Sequence, residues 1–130
     1  MMRIKRGEDP LKVWGDGSAI RDFAFSRDVA EGIILAMYYG TNNSFVNLGS
    51  GIEVSIKELV ETLNSIVEFN YEFDLSKSSG FPKRVMDISL ARETIKYNPT
   101  TSLTDGLKET WNWFLNNQTQ YKKRKNYFTK

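Results

Sequence analysis

The stretch Val13-Trp14-Gly15-Asp16-Gly17-Ser18-Ala19-Ile20-Arg21-Asp22-Phe23 decides how this chain is read. It combines an aromatic residue that looks buried, a tight glycine turn and a cation. The turn at residues 15–18 separates a short apolar run, 11–14, from a second one, 20–25, in the manner of a hairpin or a strand-turn-strand unit. Arg21 stands in the second arm between Ile20 and Phe23. A guanidinium among apolar neighbours needs a partner, and its planar five-donor fork suits a carboxylate or a phosphate. Two readings follow: a salt bridge to Asp22 or Asp16, or a seat for an anionic ligand.

Upstream of this stretch, residues 1–7 read as the end of a helix. Met1, Met2 and Ile4 are apolar, Arg3, Lys5 and Arg6 suit a helix C-terminus, and Gly7 can stop it. An opening of this kind leads us to expect that more polypeptide precedes it. Glu8-Asp9-Pro10 then breaks the chain.

Downstream, Asp28 with Glu31 three positions on reads as a helix cap, and Val29, Ile33, Ala36 and Met37 fall on one face, expected to be core, before Gly40 ends the helix. Residues 45–48 read as a short buried strand ending at Gly49-Ser50-Gly51. Two glycines there would admit a phosphate, but the third glycine of a dinucleotide fingerprint is missing, so the segment is read as a turn. The next helix is the best marked. Val54 and Leu59 form a staple around a Ser55–Glu58 capping box, and Ile56, Leu59, Val60, Leu63, Ile66 and Val67 make one apolar face. Tyr71-Glu72-Phe73-Asp74-Leu75 alternates as a half-buried strand does.

A second informative stretch follows at Ser76-Lys77-Ser78-Ser79-Gly80-Phe81-Pro82-Lys83-Arg84-Val85-Met86-Asp87. Lys77, Lys83 and Arg84 around a Ser-Ser-Gly loop make either an anion cradle or an exposed basic loop. A short helix over 88–95 is predicted next, broken by Pro99. Ser102 with Asp105 caps a last helix, whose Leu103, Leu107, Trp111, Phe114 and Leu115 form a stripe and whose Gly106 marks a close packing point.

Composition limits the chemistry. A chain of 130 residues is one domain at most. Without cysteine or histidine it has no disulfide, no thiolate metal site and no histidine-based hydrolytic triad. It has no apolar run near twenty residues and no signal pattern, so a soluble, cytoplasmic protein is expected. The net charge of +2 is a property of the end of the chain: Lys122, Lys123, Arg124, Lys125 and Lys130 stand without acids, and the other 13 basic residues face 16 acids, a net −3 over residues 1–121. Such a tail reads as a solvated terminus.

Trp-Gly-x-Gly-x-x-x-Arg-Asp-Phe at residues 14–23 resembles the C-terminal part of the extended short-chain dehydrogenase/reductases, the NAD-dependent epimerase/dehydratase family, and within it the GDP-L-fucose synthase group. The stretch at 76–87 is similar to that group's Ser-Lys-Pro-Asp-Gly-x-Pro-Arg-Lys-x-x-Asp. Ser76, Lys77, Gly80, Pro82 and Asp87 match, Lys83-Arg84 reverses two cations, and Ser78-Ser79 replaces Pro-Asp. The similarity runs nearly unbroken over residues 11–117. Arg27 stands where the family usually has an acid.

The resemblance implies an α/β fold: the C-terminal substrate-binding lobe of an extended short-chain dehydrogenase/reductase, short strands with three to four helices, and the Rossmann half missing. It divides the chain into a partial sugar-nucleotide binding lobe over 1–121 and a basic tail over 122–130. It implies that Arg21 and Lys77 hold a pyrophosphate and that Trp14 packs on the sugar or nucleotide, although composition alone reads a core tryptophan. Ser79 would line the sugar end where the family's aspartate contacts substrate, with Lys83 and Arg84 in reserve. The family's hydride transfer uses NADP and a Tyr-x-x-x-Lys pair. The one such pair here, Tyr121 and Lys125, lies in the tail, whereas the family carries its pair upstream of the Trp-Gly stretch. No catalytic, cofactor-binding or metal residue is therefore assigned, and this chain alone is expected to bind no cofactor. The expected partners are a nucleotide sugar and either a second copy or a chain supplying the Rossmann half, with no nucleic acid and no membrane. Three readings stand: part of a GDP-L-fucose synthase-like 3,5-epimerase/4-reductase, part of another nucleotide-sugar epimerase or 4,6-dehydratase, or a non-catalytic interaction module.

Overall fold

The computed structural model describes residues 1–40 and 45–119. The basic tail and the Tyr121/Lys125 pair lie outside the described residues. The described chain holds five helices and five short strands: α1 (Met2–Lys5), β1 (Leu11–Trp14), β2 (Ile20–Arg21), α2 (Ser26–Tyr39), β3 (Val54–Ser55), α3 (Ile56–Ile66), β4 (Tyr71–Asp74), β5 (Lys83–Arg84), α4 (Ser89–Ile95) and α5 (Leu103–Asn116). Four helices are those expected, and the fifth, α1, is the helix end read at residues 1–7. Gly7 stops it at a φ of 77°, and the amides of Gly7 and Glu8 return to the carbonyls of Ile4 and Arg3, the double bond of a Schellman ending.

The two arms flanking the turn at 15–18 do not pair with each other. β1 lies parallel to β4, with Leu11 opposite Tyr71 and Trp14 opposite Asp74. β2 enters a separate three-stranded sheet of order β3-β2-β5, antiparallel to β3 and parallel to β5. Of the two open readings, the structure takes strand-turn-strand. Gly15 and Gly17 have φ near +80°, which side-chain-bearing residues rarely adopt. A Cβ on Gly17 would fall 2.6 Å from the Phe73 ring, so β4 closes directly over the turn.

The α3 sequence signals act as expected. The Ser55 hydroxyl accepts the Glu58 amide at 3.0 Å, Val60 is buried, and Ile56, Leu59, Leu63, Ile66 and Val67 are half-buried where α3 packs against α5. α5 starts at the predicted cap, with the Ser102 hydroxyl accepting the Asp105 amide at 3.1 Å, and Gly106 meets Phe25 so closely that a Cβ would stand 3.2 Å from its ring.

Three expectations are corrected. Residues 45–48 form no strand, although Val46 and Leu48 do pack on the core. α2 begins at Ser26 without a side-chain cap. Asp28 is instead buried inside the first turn, where its two oxygens accept the amide and the hydroxyl of Thr101 at 3.0 and 2.9 Å. The stripe on α2 reaches the core only at Ala36, with Val29 half-buried. Ile33 is 52% and Met37 81% exposed, with Ile34 and Tyr38 beside them at 66% and 82%. The inward face is Gly32, Leu35 and Ala36, and it meets the buried cluster Ile88, Ala91, Ile95 and Tyr97. Gly32 is there because the Tyr97 ring and Leu48 come within 2.9 Å of where a Cβ would be.

A candidate anion-binding site

The site forms where the parallel pair β1 and β4 ends. Trp14 and Asp74 are the last paired residues, and the chain leaves both strands at the same end: one loop carries Gly15 to Gly17, the other Ser76 to Gly80. Loops beyond the carboxyl ends of parallel strands are a common place for ligand-binding residues. The two loops touch. The Ser79 hydroxyl donates to Asp16 at 3.1 Å, and a Cβ on Gly15 would collide with Ser79. Asp16 also accepts the Ser18 amide and hydroxyl at 3.0 and 2.7 Å. These Ser18 bonds first, with Ser79 adding to them, hold the Asp16 carboxyl below the usual carboxylate range.

Arg21 does not take the salt bridge that its neighbours offered. Its Nη1 donates to the carbonyls of Ile20 and Phe81 at 2.6 and 2.8 Å, and Nη2 reaches the Ser79 carbonyl at 3.5 Å. The half-buried guanidinium is thus oriented by neutral carbonyls and keeps its charge uncompensated. The parallel register sets Arg84 opposite Arg21, and residues paired in register project from the same face of a sheet. The Arg84 guanidinium stacks on the Phe81 ring, 4.2 Å from its centroid. Phe81 therefore holds both cations, one by its carbonyl and the other by its ring. Lys83 points elsewhere and pairs with Glu53. Neither Arg21 nor Arg84 has a carboxylate partner among the described residues. Two like charges side by side repel, and a bound dianion would turn that cost into attraction.

The other expected residues are placed as follows. Trp14 is 67% exposed, which overturns the reading of a buried aromatic and leaves a ring face open beside the loops. Ser79 is in the site, but its hydroxyl is engaged by Asp16. Lys77 is exposed at the start of the second loop, two residues before the Ser79 carbonyl that Arg21 reaches. Its charge acts on Asp74, whose carboxyl is held low first by the Ser76 hydroxyl and in smaller part by Lys77 and Lys12. Arg27, the departure from the family pattern, pairs with Glu109 at 3.0 Å across α2 and α5.

Asp22 is the residue that sequence reasoning misplaced. Its carboxylate accepts the Ser50 amide at 2.7 Å, the Ser50 hydroxyl at 2.6 Å, the Gly51 amide at 3.0 Å and the Met86 amide at 3.2 Å. Partial burial pushes the Asp22 carboxyl up, and these four bonds outweigh it, leaving its pKa below the usual carboxylate value. They also settle the Gly49-Ser50-Gly51 turn. Amides that a dinucleotide phosphate would need are spent on Asp22, and the described residues do not fit a nicotinamide dinucleotide there. Among the described residues no group of three or more acidic side chains is placed to hold a metal ion, and no helix is long and apolar enough to cross a membrane.

The described chain is thus a small α/β fold in which two arginines stand opposite each other on the adjacent parallel strands β2 and β5. Residues 1–49 match the model of the NAD dependent epimerase/dehydratase family. It is 38% identical over 116 residues, 88% of its own length, to a putative GDP-L-fucose synthase 2 from Arabidopsis thaliana, of which it covers 35%. Among solved structures it superposes on UDP-glucose 4-epimerase from Thermotoga maritima, determined with UDP-glucose, with a TM-score of 0.78 and 30% identity, covering 89% of this chain and 38% of that one. It also superposes on a UDP-glucuronic acid 4-epimerase from Bacillus cereus, in complex with UDP-glucuronic acid and NAD, with a TM-score of 0.72 and 27% identity over 88% of this chain and 37% of the other. The chain thus spans little more than a third of the length of the relatives it matches.

Proposed function

We propose that this chain is the nucleotide-sugar binding part of a GDP-L-fucose synthase-like NADP-dependent 3,5-epimerase/4-reductase. The observation that carries the reading is the pairing of Arg21 with Arg84 on adjacent parallel strands, oriented by one phenylalanine and unmatched by any described carboxylate. A diphosphate presents oxygens that two guanidinium forks can take in bidentate fashion. Lys77 adds a mobile point charge at the rim, Trp14 offers a flat face to the base or sugar, and Ser79 with Asp16 lines the sugar end. The role of the chain's own residues is to bind and orient the activated sugar. Cofactor binding and hydride transfer belong, in this reading, to polypeptide outside these 130 residues, and no step is assigned here to NADP.

The exposed apolar face of α2 supports the same reading on the partner side. Ile33, Ile34, Met37 and Tyr38 form a contiguous outward face, and relatives about two and a half times as long have further chain with which to cover a surface of this kind. The occupant is that further chain, or a second copy in its absence.

A neighbouring branch is favoured by one observation, the match to a UDP-glucose 4-epimerase. Calorimetry with GDP-, UDP- and dTDP-sugars separates the two. The expected result is a preference for the GDP-sugar and a loss of about tenfold to a hundredfold in affinity for Arg21→Ala, the range of a charge-assisted hydrogen bond. A preference for UDP or dTDP moves the chain to the other branch. Absence of binding to all three leaves the non-catalytic module.

A further inference from the structure

The Asp22 carboxylate bonds to none of the side chains of the proposed ligand seat, yet it gathers the turn at 50–51 and the chain just beyond Arg84. Asp22 follows Arg21 directly, so it is anchored to β2. Its bonds to Ser50 and Gly51 fix the turn that leads into β3, and its bond to Met86 fixes the chain two residues beyond Arg84 in β5. β5 contributes only Lys83 and Arg84 to the sheet, both exposed, and two residues of ladder are a weak hold on a loop that starts at Ser76. The turn is shaped for this contact. A Cβ on Gly49 would stand 2.6 Å from the Asp22 carboxylate and 3.0 Å from the Met86 side chain. From the other side the buried Tyr97 hydroxyl donates to the Gly49 carbonyl at 2.9 Å, which ties the turn to the core. The path from the core to Arg84 thus runs through Tyr97, the turn at 49–51, Asp22 and Met86.

We propose that Asp22 is the positioning residue of the diphosphate seat: its carboxylate staples the end of β5 to β2 and to the core, and so holds Arg84 beside Arg21 as one clamp. The inference rests on the reading of Arg21 and Arg84 as diphosphate ligands. The strands of these two mutually repelling guanidiniums are joined by two paired residues, by the Ile20 amide bond to the Pro82 carbonyl and by the Arg21 bond to the Phe81 carbonyl, all at or before Arg84, and Asp22 adds the fastening beyond it. A single carboxylate that gathers backbone amides from two other segments does this while leaving both cations free of a salt bridge.

The test uses the full chain, inorganic pyrophosphate as probe, and four variants: Arg84→Ala, Asp22→Asn, their combination, and Ser50→Ala, which removes one of the four bonds to Asp22 together with the Ile52 amide bond to the same hydroxyl and keeps the three backbone bonds to Asp22. Arg84→Ala is expected to weaken pyrophosphate binding about tenfold, equivalent to one charge-assisted bond. Asp22→Asn is expected to do the same alone, and to change affinity less than about twofold in the Arg84→Ala background, since its effect passes through Arg84. If Asp22→Asn does not fold, Ser50→Ala carries the same comparison with a smaller loss, about threefold alone and none when Arg84 is absent. A carboxylate that only stabilised the fold would weaken binding by the same factor in both backgrounds, and that result overturns the proposal while the binding reading stands. Wild-type affinity in Arg84→Ala overturns the binding reading itself.

Discussion

Helices α2 and α3 both carry apolar residues at helical spacing, α3 on one sharply marked face and α2 spread more widely round its circumference, and the chain treats them in opposite ways. α3 is capped by Ser55, buries Val60 and half-buries five more apolar residues against this chain's own α5 side. α2 has no side-chain cap and turns Gly32, Leu35 and Ala36 to the core, while Ile33, Ile34, Met37 and Tyr38 face outward. The difference teaches that an apolar stripe reports that a helix has a partner, and is silent on whether that partner lies in the same 130 residues. α3 closes on itself and forms a finished part of the lobe. α2 is finished on one side only, held from within by a buried Asp28 and left open towards whatever covers it.

The largest expected contrast is between a charge placed on each face. Val60→Asp buries an unpaired carboxylate and should cost more than about 3 kcal/mol in chemical denaturation, enough to unfold a lobe of this size. Met37→Lys, on the open face of α2, should change stability by less than about 0.5 kcal/mol and should lower any self-association that light scattering measures for the unaltered chain. If Met37→Lys unfolds the chain, the α2 face is internal and the contrast is lost.

A middle-sized effect tests how α2 is fastened. Asp28→Ala removes both bonds to Thr101 and should cost about 2 kcal/mol. Thr101→Val added to it should cost less than the sum of the two single changes, because both remove the bond between the Thr101 hydroxyl and the Asp28 carboxylate. Additive losses would mean that Asp28 and the Thr101 hydroxyl contribute to stability independently of each other.

The smallest effect compares the helix starts. Ser55→Ala should cost about 1 kcal/mol in thermal unfolding, the ordinary worth of an N-cap. Ser26→Ala should be neutral or stabilising by up to about 0.5 kcal/mol, since Ser26 caps nothing and alanine is the better helix former. Equal losses at both sites would erase the distinction drawn between the two starts.

Much of the architecture was legible because it is local. The Ser55 and Ser102 caps, the Gly7 stop, the alternation of residues 71–74 and the close packing at Gly106 each depend on residues a few positions apart or on the absence of a side chain. The site was legible in part. Trp14, Lys77 and Ser79 stand at or just beyond the ends of β1 and β4, and Arg21 reaches the Ser79 carbonyl; it is Arg84 and not Lys83 that lies opposite Arg21, and Asp22 accepts backbone amides in place of acting as a counter-ion. No sequence spacing distinguishes Lys83 from Arg84: the register with β2 decides it, by setting one opposite Ile20 and the other opposite Arg21.

By itself the sequence determined where helices start and stop, which strand alternates, and that a guanidinium and two serine-glycine loops would need polar partners, since these follow from backbone propensities and hydrogen-bond valence along the chain. Only the tertiary structure decided which arm joins which sheet, which cation stands beside Arg21, what Asp22 and Asp28 hold, and which face of α2 is left uncovered. Those outcomes are set by contacts between residues 28 to 73 positions apart, whose energies exist only once the core has closed around Tyr97.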